Sequence, residues 1–230
     1  FAGDIETLKA MFLFTAYIPE TDEWVEFEIS SYRNDIDVMM EWISEHTEWY
    51  WVSYNGLRFD AQVVEWMYRN YHNWHEMSSV DIVHKIYQKA QDIIDDANYE
   101  LFPEFREEQL SIKQIDLFKL NHFDNKHRRL GLKVIEFQLD MENIEEMPIH
   151  HSIDFLTEEQ TVEIRNYCRN DVLTTYKLYL YTTGNTEHPL YKGDDKIQLR
   201  LDIQEEFGIS CLNYSDSKIG DEIIKKFYCQ

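Results

Sequence analysis

The chain has 230 residues, 43% of them hydrophobic and 15% aromatic, enough for one large domain, or a domain plus an appendage, around a sizeable core. Its 44 Asp and Glu against 22 Lys and Arg give a formal net charge of −22, which argues against a protein whose affinity comes from neutralising many phosphates. Only 7 Gly and 4 Pro, with no low-complexity stretch, no fixed-period repeat and no apolar run near the ~20 residues of a membrane span, argue against disordered, repeat and membrane classes. The three cysteines, Cys168, Cys211 and Cys229, are scattered, as suits a reducing, cytoplasmic compartment. The sequence has no signal-peptide pattern and opens on Phe1 rather than Met, so the expectation is a chain whose true N-terminus is missing or trimmed.

In chain order, "FAGDIET" reads as a first strand with Asp4 and Glu6 on the same face, because alternate residues of a strand point the same way. Runs 10–19 and 23–30, separated by "PETD", read as two further hairpin-connected strands. Ile36, Met39, Met40 and Ile43 space a helix over 34–46, and "WYWVSY" (49–54) is a strand covered on both faces. Asn55-Gly56 turns the chain into a helix over 59–71. A helix over 78–99, a strand over 110–118, a short helix over 130–139 and a loop before 157 follow. Thr157 and Gln160 form a capping pair that opens the longest helix, which runs to Gly184. Helices over 196–207 and 215–228 close the chain as an appendage. The order predicts an α/β layer with a mixed sheet, in which the Asp4 strand and strand 49–54 are neighbours near the middle.

Two carboxylates on one strand face repel, so solvent, basic partners or a metal ion must neutralise them. Asp60 follows a strand end, where open α/β sheets bind ligands, although a carboxylate there also suits a helix N-terminus. Tyr167 and Asp171, four apart in the long helix, share one face with Ile164 and Leu178, so this aspartate points inward and needs a partner or a metal.

Together, "DIET", "YNGLRFD" and "YCRNDV" resemble the three motifs of the 3′–5′ proofreading exonuclease domain of family B DNA polymerases, particularly bacteriophage ones, within the exonuclease superfamily of RNase H-like fold. Asn166 stands five positions before Asp171 and Tyr167 four before it, which is similar to the tyrosine branch of that superfamily. The resemblance covers residues 4 to 171 and leaves the 81–110 segment unmatched. It implies an RNase H-like mixed sheet, three meander strands plus parallel strands, as domain 1–185, with residues 186–230 as a helical appendage connecting to a polymerase part. It implies two divalent cations, Mg²⁺ or Mn²⁺, held by Asp4, Glu6, Asp60 and Asp171, with Asp4 bridging both. Tyr167 would orient the attacking water. Asn55 and Phe59 match substrate-side positions. The implied substrate is a single-stranded DNA 3′ end, the implied partner a polymerase part, covalent or separate, with no membrane.

A few ions at the site lessen the need for a basic surface, which reconciles this chemistry with the acidic charge. The alternative is a catalytically silent RNase H-like module serving protein contacts, favoured by acidity and disfavoured by the presence of every motif acid. His150-His151 lacks zinc-ligand spacing and reads as loop. In "HRRLGLK", Arg128, Arg129 and Lys133 either meet phosphates or offset nearby acids. Glu142, Glu145 and Glu146 read as a solvated face.

Overall fold

Three strands of apolar and aromatic residues pair as an antiparallel meander: β1 (Ala2–Leu8), β2 (Met11–Ile18) and β3 (Glu23–Ser30). Two short strands, β4 (Tyr50–Ser53) and β5 (Lys113–Asp116), extend the sheet in parallel, giving the order β3-β2-β1-β4-β5. The computed structural model describes residues 1–125, 129–141, 144, 146–185 and 195–228. This is the expected RNase H-like arrangement, a five-stranded mixed sheet flanked by helices, with β1 central and β4 beside it. The approach of β4 to β1 depends on Gly3. The Trp51 indole donates to the Gly3 carbonyl at 2.9 Å, and a Cβ on Gly3 would sit 2.8 Å from that indole nitrogen.

One face of the sheet carries Ile5, Phe12, Phe14 and Trp51, which pack under α1 (Ile36–Glu45), α2 (Asp60–Asn70) and α3 (Ser79–Asn98). Strand 110–118 is shorter than its apolar pattern predicts. The Asp116 carboxylate accepts from the Phe118 N–H at 3.0 Å and caps a one-turn helix, α4 (Leu117–Leu120), that takes over the last residues. After α5 (Leu132–Gln138), α6 (Glu158–Thr182) covers the other face of the sheet. There Leu8, Met11 and Leu13 meet Ile164 and Cys168, while Val52 and Ile115 meet Leu178.

The capping box at Thr157 and Gln160 starts α6 as the sequence predicts. Two arginines one turn apart then fix its rotation over the sheet. Arg165 pairs with the fully buried Glu28 of β3, and Arg169 makes a bidentate pair with Glu26 at 2.7 and 2.9 Å. Helices α7 (Lys196–Phe207) and α8 (Asp216–Tyr228) lie at the β5 end. Ile197 joins the Val52–Ile115 cluster, and Asn213 accepts from the Asp116 N–H at 2.7 Å and donates to the Gln114 carbonyl at 2.9 Å. Arg200, fully buried, binds the Tyr214 carbonyl at 2.9 Å and Asp216 at 2.7 Å, joining the two helices. The expected boundary at 186, together with Arg128, Glu142, Glu145 and Cys229, lies outside the described residues. Among the described residues no helix is long and apolar enough to cross a membrane.

Candidate active site

The site forms where β1 and β4 part. They pair only at Ala2 and Val52, after which β4 ends at Ser53 and the chain turns through Asn55, whose φ is 67°. In the gap thus opened, the Ile5 N–H of β1 donates to the Asp60 carboxylate rather than to a strand. Asp60 begins α2 and also takes its own backbone N–H, the helix-terminus role foreseen for it, while lying close enough to Asp4 to hydrogen-bond it. The turn is pinned from below by Asp116, which accepts from the N–H groups of Asn55 at 2.9 Å and Leu57 at 3.2 Å. Burial pushes the Asp116 carboxyl up to about 6, with Lys119 and these backbone donors pulling against it.

Asp4 and Glu6 share the β1 face under α6, where they approach Cys168 so that one donor atom from each of the three falls within 4.8 Å of the others. Asp171, buried, projects from α6 one turn beyond Tyr167. The four motif carboxylates are mutually repulsive. Burial raises Asp4 well above the usual range, and Asp60, Glu6 and Asp171 raise it further. Burial does the same to Glu6, reinforced by Asp171 and Asp60. Asp60 is pushed up to about 7, again mainly by burial. Asp171 also reaches about 7, because burial outweighs the ammonium of Lys133 beside it. Such a set holds protons when no cation is present.

One cation does reach the cluster. Lys133, from the second residue of α5, places its Nζ 2.7 Å from Asp171 and 2.9 Å from Glu136, and 4.3 Å from the centre of the Tyr167 ring. Burial lowers its proton affinity, yet its hydrogen bonds to Asp171 and Glu136 more than restore it, so the ammonium stays charged. Glu136 is fully buried, takes Asn170 Nδ2 at 3.4 Å on the same oxygen, and leaves Oε2 without a partner among the described residues. The Tyr167 hydroxyl is raised by burial first and by Asp171 second, and stays protonated at neutral pH. Cys168 is also raised by burial and by Asp4, so it is a thiol; it donates weakly to Asp4 at 3.7 Å.

This donor set fits hard divalent cations. Its free ligands are carboxylate oxygens, its sulfur is protonated, and the mutual repulsion of the acids is the deficit that a 2+ ion removes. Asp4 is the acid on which the charges of the other three all act. Asn55 lines a cleft with Tyr54, Arg58 and Gly131, none of the four acids being on its wall, whereas Phe59 is half-buried and packs on the α1–α3 core. His150 and His151 stack at 4.3 Å in the loop before α6. Sequence reasoning left Lys133 undecided between two uses and overlooked Asp116 and Glu136. A polar residue ending a strand (Asp116) and a Lys-x-x-Glu pair opening a helix (Lys133, Glu136) were the available signals. No protein-family model, no curated protein and no solved structure matches the chain.

Proposed function

We propose that the chain is a metal-dependent 3′–5′ exonuclease acting on single-stranded DNA ends, related to the proofreading domains of phage-type family B polymerases and working beside a polymerase part. The observation that carries this reading is the grouping of Asp4 and Glu6 on β1 within 4.8 Å, with Asp60 within hydrogen-bond reach of Asp4 and Asp171 of α6 close enough for its charge to act on both. Asp60 and Asp171 themselves lie outside the 4.8 Å group. Asp4, Glu6 and Asp171 would hold one divalent ion, and Asp4 with Asp60 the second. When bound, Mg²⁺ or Mn²⁺ supplies Lewis acidity toward the scissile phosphate and lowers the proton affinity of a water.

The remaining steps belong to the protein. The protonated Tyr167 hydroxyl donates a hydrogen bond that orients the attacking water, and its raised proton affinity makes it a positioning group rather than a base. Lys133 holds Asp171 in place and keeps positive charge beside the cluster where the phosphate must approach a strongly anionic protein. Cys168 and the packed underside of α6 exclude water behind Asp4. Asn55 contacts the terminal nucleotide from the cleft wall, and Phe59, packed on the α1–α3 core, holds the turn between Asn55 and Asp60.

A 5′-labelled single-stranded oligonucleotide incubated with the protein and Mn²⁺ is expected to give a ladder shortening from the 3′ end. Asp4→Ala and Asp171→Ala are each expected to slow it by about 10²–10³. The absence of metal-dependent shortening, or equal shortening by Asp4→Ala, overturns the reading in favour of a catalytically silent module.

A further inference from the structure

The long segment between α2 and β5, which matches none of the motifs, ends in an exposed apolar corner. Phe102 is 94% exposed and Leu101 52%. An exposed pair of this kind marks a contact surface when it is held rigidly. Here it is. Glu100 takes a φ of 57°, and Leu101 N–H bonds the Asp96 carbonyl at 2.9 Å, closing the C-terminus of α3. Just beyond, Gln62 of α2 clamps Phe105 through both its backbone groups at 2.9 Å.

The corner forms one wall of a cleft of about 770 Å³ whose lining also includes Asn55 and Gly131. Gly131 lies just before α5, the helix that carries Lys133 to the carboxylates. Arg58, Lys119 and Arg129 also line the cleft. Among the described residues, none of these three side chains forms an ion pair, in a chain of charge −22. Asp124 and Glu100 stand at the same cleft, so its balance is mildly positive against a negative whole. On the inner wall, Phe118 meets the Tyr54 ring edge-on at 5.2 Å, and the Tyr54 hydroxyl is fixed by the Leu130 carbonyl at 2.5 Å.

Cations that form no ion pair among the described residues, interleaved with fixed aromatic surface, form a site for a flexible polyanion with flat, stackable groups. We propose that this cleft is the groove for a single-stranded polynucleotide. Arg58, Lys119 and Arg129 contact successive phosphates, and Phe102 supplies an outer stacking platform several nucleotides from the end. The inference rests on the nuclease reading only for where the 3′ terminus lies.

The test is fluorescence anisotropy of 5′-labelled dT12 and rU12 with the full chain in Ca²⁺, at several KCl concentrations. Both strands are expected to bind more tightly than a blunt duplex of equal length. Arg58→Gln/Lys119→Gln/Arg129→Gln is expected to raise Kd at least about tenfold and to flatten the log Kd–log salt slope by about 2. Phe102→Ala, at a side chain too exposed to support the fold, is expected to raise Kd about fivefold or more for either strand. Unchanged Kd and slope in the triple variant, unchanged Kd in Phe102→Ala, or duplex binding as tight as single-strand binding overturns the groove. Cleavage in Mn²⁺ is scored separately. Tight binding that the variants abolish supports the groove even if no shortening occurs, and that second result overturns only the nuclease reading.

Discussion

Replacing Lys133 by Met keeps most of the side-chain volume and removes one positive charge. The ammonium lies 2.7 Å from Asp171 and 2.9 Å from Glu136, whose side chains are 9% and 0% exposed, while its own is 31% exposed. Breaking a fully buried pair by removing one partner costs about 3–5 kcal/mol, and the partial exposure of the lysine lowers this to about 2–3 kcal/mol. In a chain of this size that is a fall in Tm of about 5–10 °C. The loss is largest in chelator at pH 8, where Asp171 is ionised in the folded protein. At pH 5.5, below its raised value of about 7, Asp171 is protonated and the substitution costs less. Mn²⁺ at pH 8 recovers part of the loss by taking over the neutralisation of Asp171. Thermal melts followed by circular dichroism, in EDTA at both pH values and in Mn²⁺ at pH 8, read all three effects. An unchanged Tm at pH 8 in EDTA, or an equal loss at pH 5.5, refutes the assigned role of Lys133.

The metal-free wild type is expected to lose stability as pH rises from about 4 to 7. Asp60 and Asp171 have folded values of about 7 against 3.8 for the free side chain, so the folded state holds protons that the unfolded state has released. Urea titrations in EDTA at pH 5 and pH 8 measure the fall, and the stabilisation by Mn²⁺ is expected to be larger at pH 8. Tyr167→Phe is expected to lower kcat about 10–100-fold with Mn²⁺ affinity unchanged, as measured by single-turnover cleavage and metal titration. Arg165→Met strands the fully buried Glu28 and is expected to cost about 3 kcal/mol in urea denaturation at pH 7. Because that pair sets the rotation of α6, the same variant is expected to weaken Mn²⁺ binding.

Much of this architecture was legible in the sequence because it depends on local periodicity. The alternation in β1 fixed the common face of Asp4 and Glu6, and the spacing of Ile164, Asp171 and Leu178 fixed the inner face of α6. The Asn55 turn was visible in sequence, whereas the parting of β1 and β4 beyond Ala2 and Val52, which opens the gap for Asp60, was not. What stayed hidden acts across long separations. Lys133 meets an acid 38 positions away, and its basic neighbourhood read equally well as a solvated loop. Asp116 works on backbone groups 59 and 61 positions away, which no side-chain pattern announces. The strand expected over 110–118 ran long because apolar alternation cannot register that Asp116 caps the following turn. The 99–102 corner resembles ordinary apolar sequence until its exposure is known.

The most direct measurement is isothermal titration of the chelator-stripped protein with Mn²⁺ at pH 8, beside Asp4→Asn. If the acids on β1, α2 and α6 jointly hold cations, the wild type binds about two ions. Asp4→Asn, lacking the shared ligand, binds at most one and at least about tenfold more weakly. No saturable binding by the wild type, or identical isotherms for the two proteins, contradicts the account at its root.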